Sequence, residues 1–343
     1  MNVTATHKIN GFLGINNVND PNALQVGPET GDVFLTKADN VDITDSKRAS
    51  RRAGSESVYT GSYSIHSLFT AEDGVYFVEG SSLKVIDDLY STATITTGLN
   101  SNLRMNYVDV GGVVYYTNGY NKGYVYNRVA SSFVAPVDEF KVQMPAGHLI
   151  EYYNGRLYIA VGNVVYVSDA FHLMQYDQRF GMMLFEDRVT TLKASKDCMW
   201  VGTTKNIICL VGGSPADFIY QTKTDYGAIE NSAVKTVATN FSSVDMDGNV
   251  VVMATNRGIC LGGGQGYFKN LTDDYYRFNL DVQNTSAVVD VQEDKHQYKL
   301  LAEVYTAGNT GRIATDFPFI DTSAEDNPMF LPLLSVSFTG TFQ

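Results

Sequence analysis

A repeated pair of short apolar runs separated by turn residues is the feature that most narrows the folds open to this chain. The pattern recurs in five segments, at 72–87 (EDGVYFVEGSSLKVID), 110–127, 153–169, 195–211 and 245–261. Each has a polar turn, an apolar run of four or five residues, a second turn rich in Gly, Asn or Ser, and another apolar run. This arrangement is typical of a β-hairpin, and strands this apolar belong to a sheet that is buried on both faces.

The hairpins recur at a regular interval along the chain. Their first turns are marked by Gly74, Gly112, Gly155, Asp197 and Gly248, which are 38, 43, 42 and 51 residues apart. A further alternating strand precedes each hairpin, at 63–70, 103–110, 148–153, 188–194 and 232–239. A repeat of roughly 40 residues with four short strands is typical of β-propeller blades, in which the first strand is the innermost.

Weaker units at 30–43 and 294–313 extend the series at both ends. We therefore predict an all-β fold: a β-propeller of six or seven blades with an N-terminal strap and a C-terminal extension. The strap and the first or closing strands would occupy 1–60, the propeller body 61–313, and a closing strand or docking arm 314–343. A pair of β-sandwiches is the competing architecture, because short strands with regular turns suit it as well. Only 168–180 has the composition of a short helix.

Composition agrees with a β fold and gives no sign of disorder. The chain has 343 residues, enough for one large β domain or two ordinary ones, and 30 Gly, 22 Tyr and 18 Phe against 8 Pro. No apolar stretch approaches the roughly 20 residues of a membrane-spanning helix, so we expect no membrane span. The N-terminus also lacks the basic start and apolar run of a signal peptide, which predicts synthesis in a cytosol.

Motifs that carry chemistry are missing from the sequence. Cys198, Cys209 and Cys260 have no metal-ligand spacing, and the five histidines form no pair of the HxxxH or HxH type. The glycine-rich run 261–268 lacks the Lys-Ser/Thr of a phosphate loop, and no GxSxG elbow occurs. We predict a protein that is not an enzyme and uses no cofactor or metal. A propeller hydrolase remains an alternative, because propeller active sites gather residues from distant blades.

Lys47, Arg48, Arg51 and Arg52 form a basic cluster in a chain whose formal net charge is −12. The preceding VDITDSK is expected to be a strand that ends in a turn, where Asp45 and Ser46 bond their own backbone. The cluster has three interpretations: a solvated loop, a contact with DNA phosphates, or an anchor between subunits or blades in which arginines fork onto carboxylates. The net acidity argues against tight DNA binding, and the 37 Asp and Glu residues offer partners for an anchor.

The N-terminal segment carries a family resemblance. INGFLGINNVNDPNALQVG (9–27) leads to DVFLTKADNVDITDSKRASRRAG (32–54), a Gly-Phe-x-Gly-Ile-Asn-Asn opening followed by Asn-Val-Asp-Ile and paired arginines before Ala-Gly. This order resembles the start of tailed-bacteriophage virion proteins with a β-propeller body, such as tail hub and nozzle subunits. Those proteins have an Arg-Pro-Gly or similar step here, whereas this chain has Ala53 at the proline position.

The resemblance implies a structural subunit of a bacteriophage tail that helps to form the DNA ejection channel. It implies a ring of copies, six in number, in contact with adaptor or other tail proteins. The protein would be made in the host bacterial cytoplasm and reside in the virion, and genomic DNA would pass through without specific binding. An acidic lumen would repel DNA phosphates and let the genome slide, although acidic surfaces also serve solubility.

The C-terminal stretch 317–343 breaks the blade pattern and ends in a strongly apolar run. It is expected to be either a strand that closes a blade or an arm that docks on a neighbouring subunit. Phe330 and Leu331 are candidate interface residues together with Lys47, Arg48, Arg51 and Arg52. The alternative function is a receptor- or glycan-binding propeller module of a phage tail, for which the Tyr- and Asn-rich loop 117–127 is the best candidate.

Overall fold

The protein is all-β in the part of the chain that the structure describes. The computed structural model describes residues 9–21, 24–26, 31–38, 41–52, 54, 56–134, 136, 138–240, 247–276, 281–292, 295–306, 309–320, 329–330 and 336–338. Short 3-10 helices lie at Ala238–Asn240 and Gly264–Gly266. Within these ranges, no helix has the length and apolar character to cross a membrane.

The strands before the first regular sheet are β1 Gly11–Ile15, β2 Gln25–Val26, β3 Asp32–Leu35, β4 Val41–Ile43 and β5 Ala49–Arg51. Those of the central part are β6 Ile65–Ala71, β7 Gly74–Glu79, β8 Ser82–Ile86, β9 Thr92–Thr96, β10 Asn106–Val110, β11 Val113–Thr117, β12 Lys122–Tyr126, β13 Val129–Ser131, β14 Lys141–Gln143, β15 Leu149–Tyr153, β16 Arg156–Val161, β17 Val164–Val167, β18 Gln175–Asp177 and β19 Met182–Leu184. The remaining strands are β20 Val189–Ala194, β21 Cys198–Thr203, β22 Ile207–Val211, β23 Ile219–Thr224, β24 Val234–Val237, β25 Asn249–Thr255, β26 Gly258–Gly262, β27 Phe268–Asn270, β28 Asp281–Gln292, β29 Lys295–Thr306, β30 Asn309–Ile320, β31 Met329–Phe330 and β32 Val336–Phe338.

Five four-stranded sheets can be followed through the described ranges. In chain order we call them blades 1 to 5: β6-β7-β8-β9, β10-β11-β12-β13, β15-β16-β17-β19, β20-β21-β22-β23 and β24-β25-β26-β27. Each starts with the alternating strand and continues with the hairpin that the sequence pattern predicts. The strand registers agree with the positions of the turns. In blade 2, for example, Tyr115 pairs with Val108 of β10 and with Tyr124 of β12. The predicted strand order is confirmed in all five.

The second strand is largely buried in every blade, as expected for a sheet covered on both faces. All six residues of β21 are buried, as are six of the seven in β25. The fourth strands are more open, and the first three residues of β9 are exposed. Apolar runs therefore occupy the middle of each blade, because only there are both sheet faces removed from water.

Blades 1, 2 and 3 pack face to face, and each neighbouring pair of these blades shares one apolar cluster. Tyr76 and Val78 of blade 1 pack with Val114 and Tyr116 of blade 2. The next residue along, Tyr115, points the other way into a cluster with blade 3. A sheet that contributes a core to each of its two faces belongs to a radial stack, whereas a two-layer sandwich buries one face of each sheet. The packing is that of a β-propeller, as predicted, and not of paired sandwiches.

The chain divides into two compact units. Residues 55–192 and 212–218 form one, called here the blade 1–3 unit, and residues 1–54, 193–211 and 219–343 form the other, the terminal unit. In the terminal unit, Val250 and Val252 of blade 5 pack with Tyr298 and Leu300 of β29. The intervening Val251 joins a cluster with β21 and β22 instead. The alternation of the two faces thus recurs in this unit.

The ends of the chain form sheets of other shapes. β1, β3 and β2 make a three-stranded sheet, β4 and β5 a hairpin, and β28 to β30 a sheet of 12-residue strands to which β31 and β32 add. Segment 30–43, predicted to be a weak blade unit, contributes β3 to one sheet and β4 to another. The second weak unit is predicted to end at 313, whereas β30 continues to Ile320. The parallel pairing of β1 with β3 departs from the antiparallel pairing of the blades.

The helix expected at 168–180 is wrong. This segment holds turns and β18, which pairs with β14 in register Val142↔Tyr176. Tyr176 is buried at 1% exposure and binds the segment to the core of blade 3. Pairing with a strand that lies outside the local sequence overrode the weak helical pattern.

Candidate interaction surfaces

The basic cluster lies on the β4–β5 hairpin of the terminal unit. Its turn is closed by Thr44 N–H donating to Arg48 O at 3.0 Å and Lys47 N–H donating to Thr44 O at 2.8 Å. Lys47 has a φ of 63°, in the left-handed region that turns require. Lys47 and Arg48 project from this turn, Arg51 ends β5, and Arg52 follows it, as the sequence predicts.

Two of the four cations bind carboxylates of the same chain. Lys47 Nζ lies 2.8 Å from Asp32 Oδ2 on the neighbouring sheet. Arg52 Nε lies 3.4 Å from Asp42 Oδ1, and the Asp42 side chain is only 8% exposed. These two side chains therefore hold the hairpin in shape and have internal partners.

Arg48 and Arg51 point into solvent instead. All three residues of β5 are exposed, and β5 pairs only with β4 in the two-stranded sheet of the described residues. An exposed edge strand presents backbone N–H and C=O groups to a second chain, and its charged side chains decide which chain is accepted. The hairpin therefore offers a short edge with two guanidinium groups.

Long-range contacts tie the N-terminal segment to the second half of the chain. Asn17 N–H donates to Tyr275 O at 2.9 Å, and the rings of Phe34 and Tyr275 stack at 5.0 Å. The hairpin turn is bound through Asp45, whose carboxylate lies 2.7 Å from the ring of His296 on β29. Asp45 was expected to bond its own backbone, and this longer-range partner replaces that bond. The segment consequently has the contacts of a strap within the terminal unit.

The C-terminal candidates are less informative. Phe330 lies in β31, paired with Phe319 of β30. Leu331 lies outside the described residues. The proposed interface role of both residues stays a prediction.

The Tyr- and Asn-rich loop 117–127 is a tight hairpin in blade 2. Asn118 Oδ1 accepts the backbone N–H groups of Tyr120 and Asn121, at 3.0 and 2.5 Å. Asn121 Oδ1 accepts from Asn100 N–H at 2.8 Å. The amide oxygens expected to recognise sugar hydroxyls thus stabilise the loop itself. Tyr120 remains, with 73% of its surface exposed.

Blade 3 presents a group of aromatic side chains that the sequence pattern did not reveal. Segment 168–181 interrupts its outer hairpin, and β18 pairs with β14 to form a two-stranded ribbon. Phe140 and Phe180 flank this ribbon, and Arg179 contacts both rings. The available signal was the break in the repeat, since no turn of the usual kind lies between 167 and 182.

A shallow depression of about 490 Å³ lies in the terminal unit beside β22 and β23. Lys205, Lys223, Tyr226 and Phe268 are among the residues that line it. Lys223 Nζ donates to Gln221 Oε1 at 2.7 Å, and Arg257 lies over the Tyr226 ring at 4.7 Å. The lining also includes Asp225, so that charges of both signs surround the depression.

The three cysteines are buried thiols, as the apolar runs around Cys209 and Cys260 predict for those two. Burial raises the pKa of Cys260 to about 12. The Cys209 thiol beside Cys198 lowers the pKa of Cys198. Among the described residues, no group of three or more His, Cys, Asp or Glu side chains is placed to hold a metal ion.

Comparison with known proteins gives likenesses of fold only. No family model and no curated protein matches the chain. A similar solved structure is the WD40 β-propeller domain of Doa1, at 11% identity and a TM-score of 0.45, with 76% of this chain and 90% of that chain covered. Hsv2 with loop 6CD replaced by a Gly-Ser linker has 10% identity and a TM-score of 0.43, covering 80% and 84%. The N-terminal domain of Nup159 has 11% identity and a TM-score of 0.36, covering 94% and 83%.

Because all three TM-scores are below 0.5, the assignment of the fold rests on the sheets of this chain. The class defined by the stacked four-stranded blades is a β-propeller protein, and the accessible features of its surface are a basic edge hairpin and an aromatic ribbon.

Proposed function

We propose that this chain is a structural subunit of a bacteriophage tail, of the hub or nozzle type, and that its role is not catalytic. Several copies, six in a closed ring, would surround the tail axis and contact adaptor or other tail proteins. The protein would be made in the host cytoplasm and reside in the virion, where DNA passes without specific binding. The order of residues in 9–54 supports this proposal, since it resembles the opening of such proteins.

The proposal rests on a difference among the four cations of the basic cluster: two have carboxylate partners within the chain and two are exposed. Lys47 and Arg52 are paired within the chain, whereas Arg48 in the turn and Arg51 on the edge strand β5 are exposed. Guanidinium groups fork onto carboxylates, and a chain of net charge −12 brings many carboxylates to any contact between copies. The same net charge opposes tight attachment to DNA. Arg48 and Arg51 are therefore the side chains that we assign to an interface with another protein subunit.

Solution mass tests this assignment. Light scattering of the wild-type protein at moderate salt should give a closed oligomer, and R48A/R51A should give a smaller species. The control K196A/R257A removes two positive charges from side chains of the terminal unit that are 52% and 54% exposed. It should keep the wild-type mass. The oligomer should also dissociate at 1 M salt, where the Debye length is about 3 Å.

If the wild-type protein is a monomer in solution, the same variants are tested in phage particles. There the interface lies with a neighbouring tail protein, so R48A/R51A should fail to enter assembled tails while the control enters normally. Normal incorporation of R48A/R51A would contradict the proposal.

The alternative of a glycan-binding module is not favoured at loop 117–127. The side-chain oxygens of Asn118 and Asn121 are used inside the loop and in its contact with Asn100. The exposed ring of Tyr120 therefore lies beside amide oxygens that already accept hydrogen bonds from the backbone. A different part of the molecule is better suited to a sugar.

A further inference from the structure

The ribbon of blade 3 is a local departure from the propeller plan. In a plain blade a short turn joins the third strand to the fourth. Here 14 residues, 168–181, lie between β17 and β19, and they carry β18 out to pair with β14. The insertion is held at its base, because Val167 N–H donates to Gly181 O and Gly181 N–H to Asp177 O, both at 2.8 Å. An insertion this well bonded has a defined shape.

The ribbon exposes apolar rings that a fold for stability alone would bury. Phe180 is 80% exposed and Phe140 is 43% exposed. A phenyl ring left in water does not gain the free energy of burial. Single exposed apolar residues are ordinary on protein surfaces, so exposure alone decides nothing. The informative feature is what holds these two rings.

One arginine organises both rings. The guanidinium carbon of Arg179 lies 4.4 Å from the ring centre of Phe140 and 5.5 Å from that of Phe180. Its Nε and Nη2 donate to Asp177 Oδ1 and Oδ2, at 3.0 and 2.7 Å, in a two-pronged fork. This fork holds the pKa of Asp177 down, to about 2. Phe140 is aligned through its backbone, because its carbonyl accepts the Gln178 N–H at 3.0 Å.

The arrangement leaves hydrogen-bonding capacity beside the rings. A guanidinium carries five N–H donors, and the fork to Asp177 uses two of them. The Arg179 side chain is 48% exposed. Apolar ring faces and oriented donors therefore share one small surface, fixed before any ligand arrives.

We propose that the Phe140–Arg179–Phe180 surface of the ribbon binds a saccharide. A sugar ring offers an apolar C–H face that stacks on a phenyl ring and hydroxyl oxygens that accept from a guanidinium. Both rings contact a charged guanidinium, so they do not form the large continuous apolar patch that marks many protein interaction sites. Preorganisation by Asp177 lowers the ordering cost of binding, so that a small contact area can suffice. The proposal does not depend on the chain being a tail subunit.

A glycan array tests the site. The array should contain oligosaccharides of neutral hexoses, N-acetylhexosamines, deoxyhexoses and uronates, and the strongest hit should be titrated by calorimetry. F180A and R179A should each weaken the affinity for that glycan at least tenfold, and F180W should retain it because the stacking ring remains. The matched control is Y120A, which removes an exposed ring of similar size from another loop of the same unit and should bind like the wild type.

Folding of the variants is expected to be preserved, since Phe180 and Arg179 are largely solvent-facing, and circular dichroism melting should confirm it. Binding of no array glycan by the wild-type protein at millimolar concentration would overturn the proposal. Equal binding by F180A and the wild type would overturn it too, as would a loss confined to Y120A. None of these results bears on the mass of R48A/R51A. The proposed subunit interface and the proposed saccharide site are therefore tested independently.

Discussion

Asp45 and His296 are 251 positions apart in sequence, and their side chains meet at 2.7 Å, Oδ2 to Nδ1. The backbone N–H of His296 also points to Asp45 Oδ1, at 3.4 Å. Asp45 belongs to the turn that carries Lys47 and Arg48, and His296 is the second residue of the long strand β29. The contact therefore fixes the basic hairpin relative to the C-terminal sheet within the terminal unit.

Removal of this contact should loosen the hairpin more than the blades. In D45A, the Lys47 amide, which bonds Thr44 O, should exchange hydrogen several-fold faster, because the turn loses its external support. The global free energy of unfolding should fall by only about 1 kcal/mol, since the pair is partly exposed. Hydrogen exchange by mass spectrometry over 41–51 measures the effect. Exposed Asp88→Ala is the control, and equal exchange in the two variants would refute the strap role of Asp45.

The four cations of the hairpin should separate into two stability classes. K47A and R52A should each lower the free energy of unfolding by about 1–2 kcal/mol, because each leaves a partly or wholly buried carboxylate without that partner. R48A and R51A should stay within about 0.5 kcal/mol of the wild type, as surface substitutions do. Urea titrations followed by fluorescence report this directly, since Trp200 is the one tryptophan of the chain. Four equal values would mean that the hairpin is not pinned as the structure has it.

Acid should act on blade 1 through Glu79. This buried carboxylate accepts from Lys84 Nζ and Tyr59 O–H, both at 2.6 Å, and from Ser62 N–H at 2.7 Å. The bonds, that of Lys84 foremost, lower the pKa of Glu79 from 4.5 to about 2. A depressed carboxyl pKa contributes stability that is present above pH 4.5 and disappears as the pH falls through 2.

The matching variant is E79Q. Its melting temperature should lie below that of the wild type at pH 7, and the gap should narrow between pH 4.5 and 2. Melting curves by circular dichroism at five or six pH values would show this. D88N, with the same charge change at an exposed carboxylate, should keep a constant offset. A constant gap for E79Q would assign its stabilisation to something other than the ionised carboxylate.

A single methyl group at Gly262 should disturb the core between blades 4 and 5. A Cβ there would lie 2.5 Å from Cε2 of Trp200, whose indole is fully buried and packs against Phe268 at 5.9 Å. G262A should cost about 1–3 kcal/mol, because overpacking displaces the ring. The emission maximum of Trp200 should shift in the folded state. Gly54→Ala is the control, since nothing lies within 4 Å of a Cβ at that position, and an unshifted spectrum of G262A would contradict the close approach.

The amino-acid sequence by itself determined the blades. Alternating strands followed by apolar hairpins predicted β6 to β13 and β20 to β27 closely, because strand period and turn chemistry are local properties. It also placed Lys47, Arg48, Arg51 and Arg52 on a turn and the strand after it. The likeness of 9–54 to tail proteins came from the same local reading and stays a proposal.

The tertiary structure alone decided which partner each side chain takes. Asp32 on the neighbouring sheet pairs with Lys47, and Asp42 across the hairpin pairs with Arg52, so that Arg48 and Arg51 face solvent. Pairing of β18 with β14 turned an expected helix into a ribbon that displays Phe140 and Phe180. The Asp45 side chain bonds His296 and not the backbone of its own turn. The contacts of Lys47 with Asp32, of β18 with β14 and of Asp45 with His296 join segments that are not adjacent in sequence, and no periodicity along the chain encodes the distance between them.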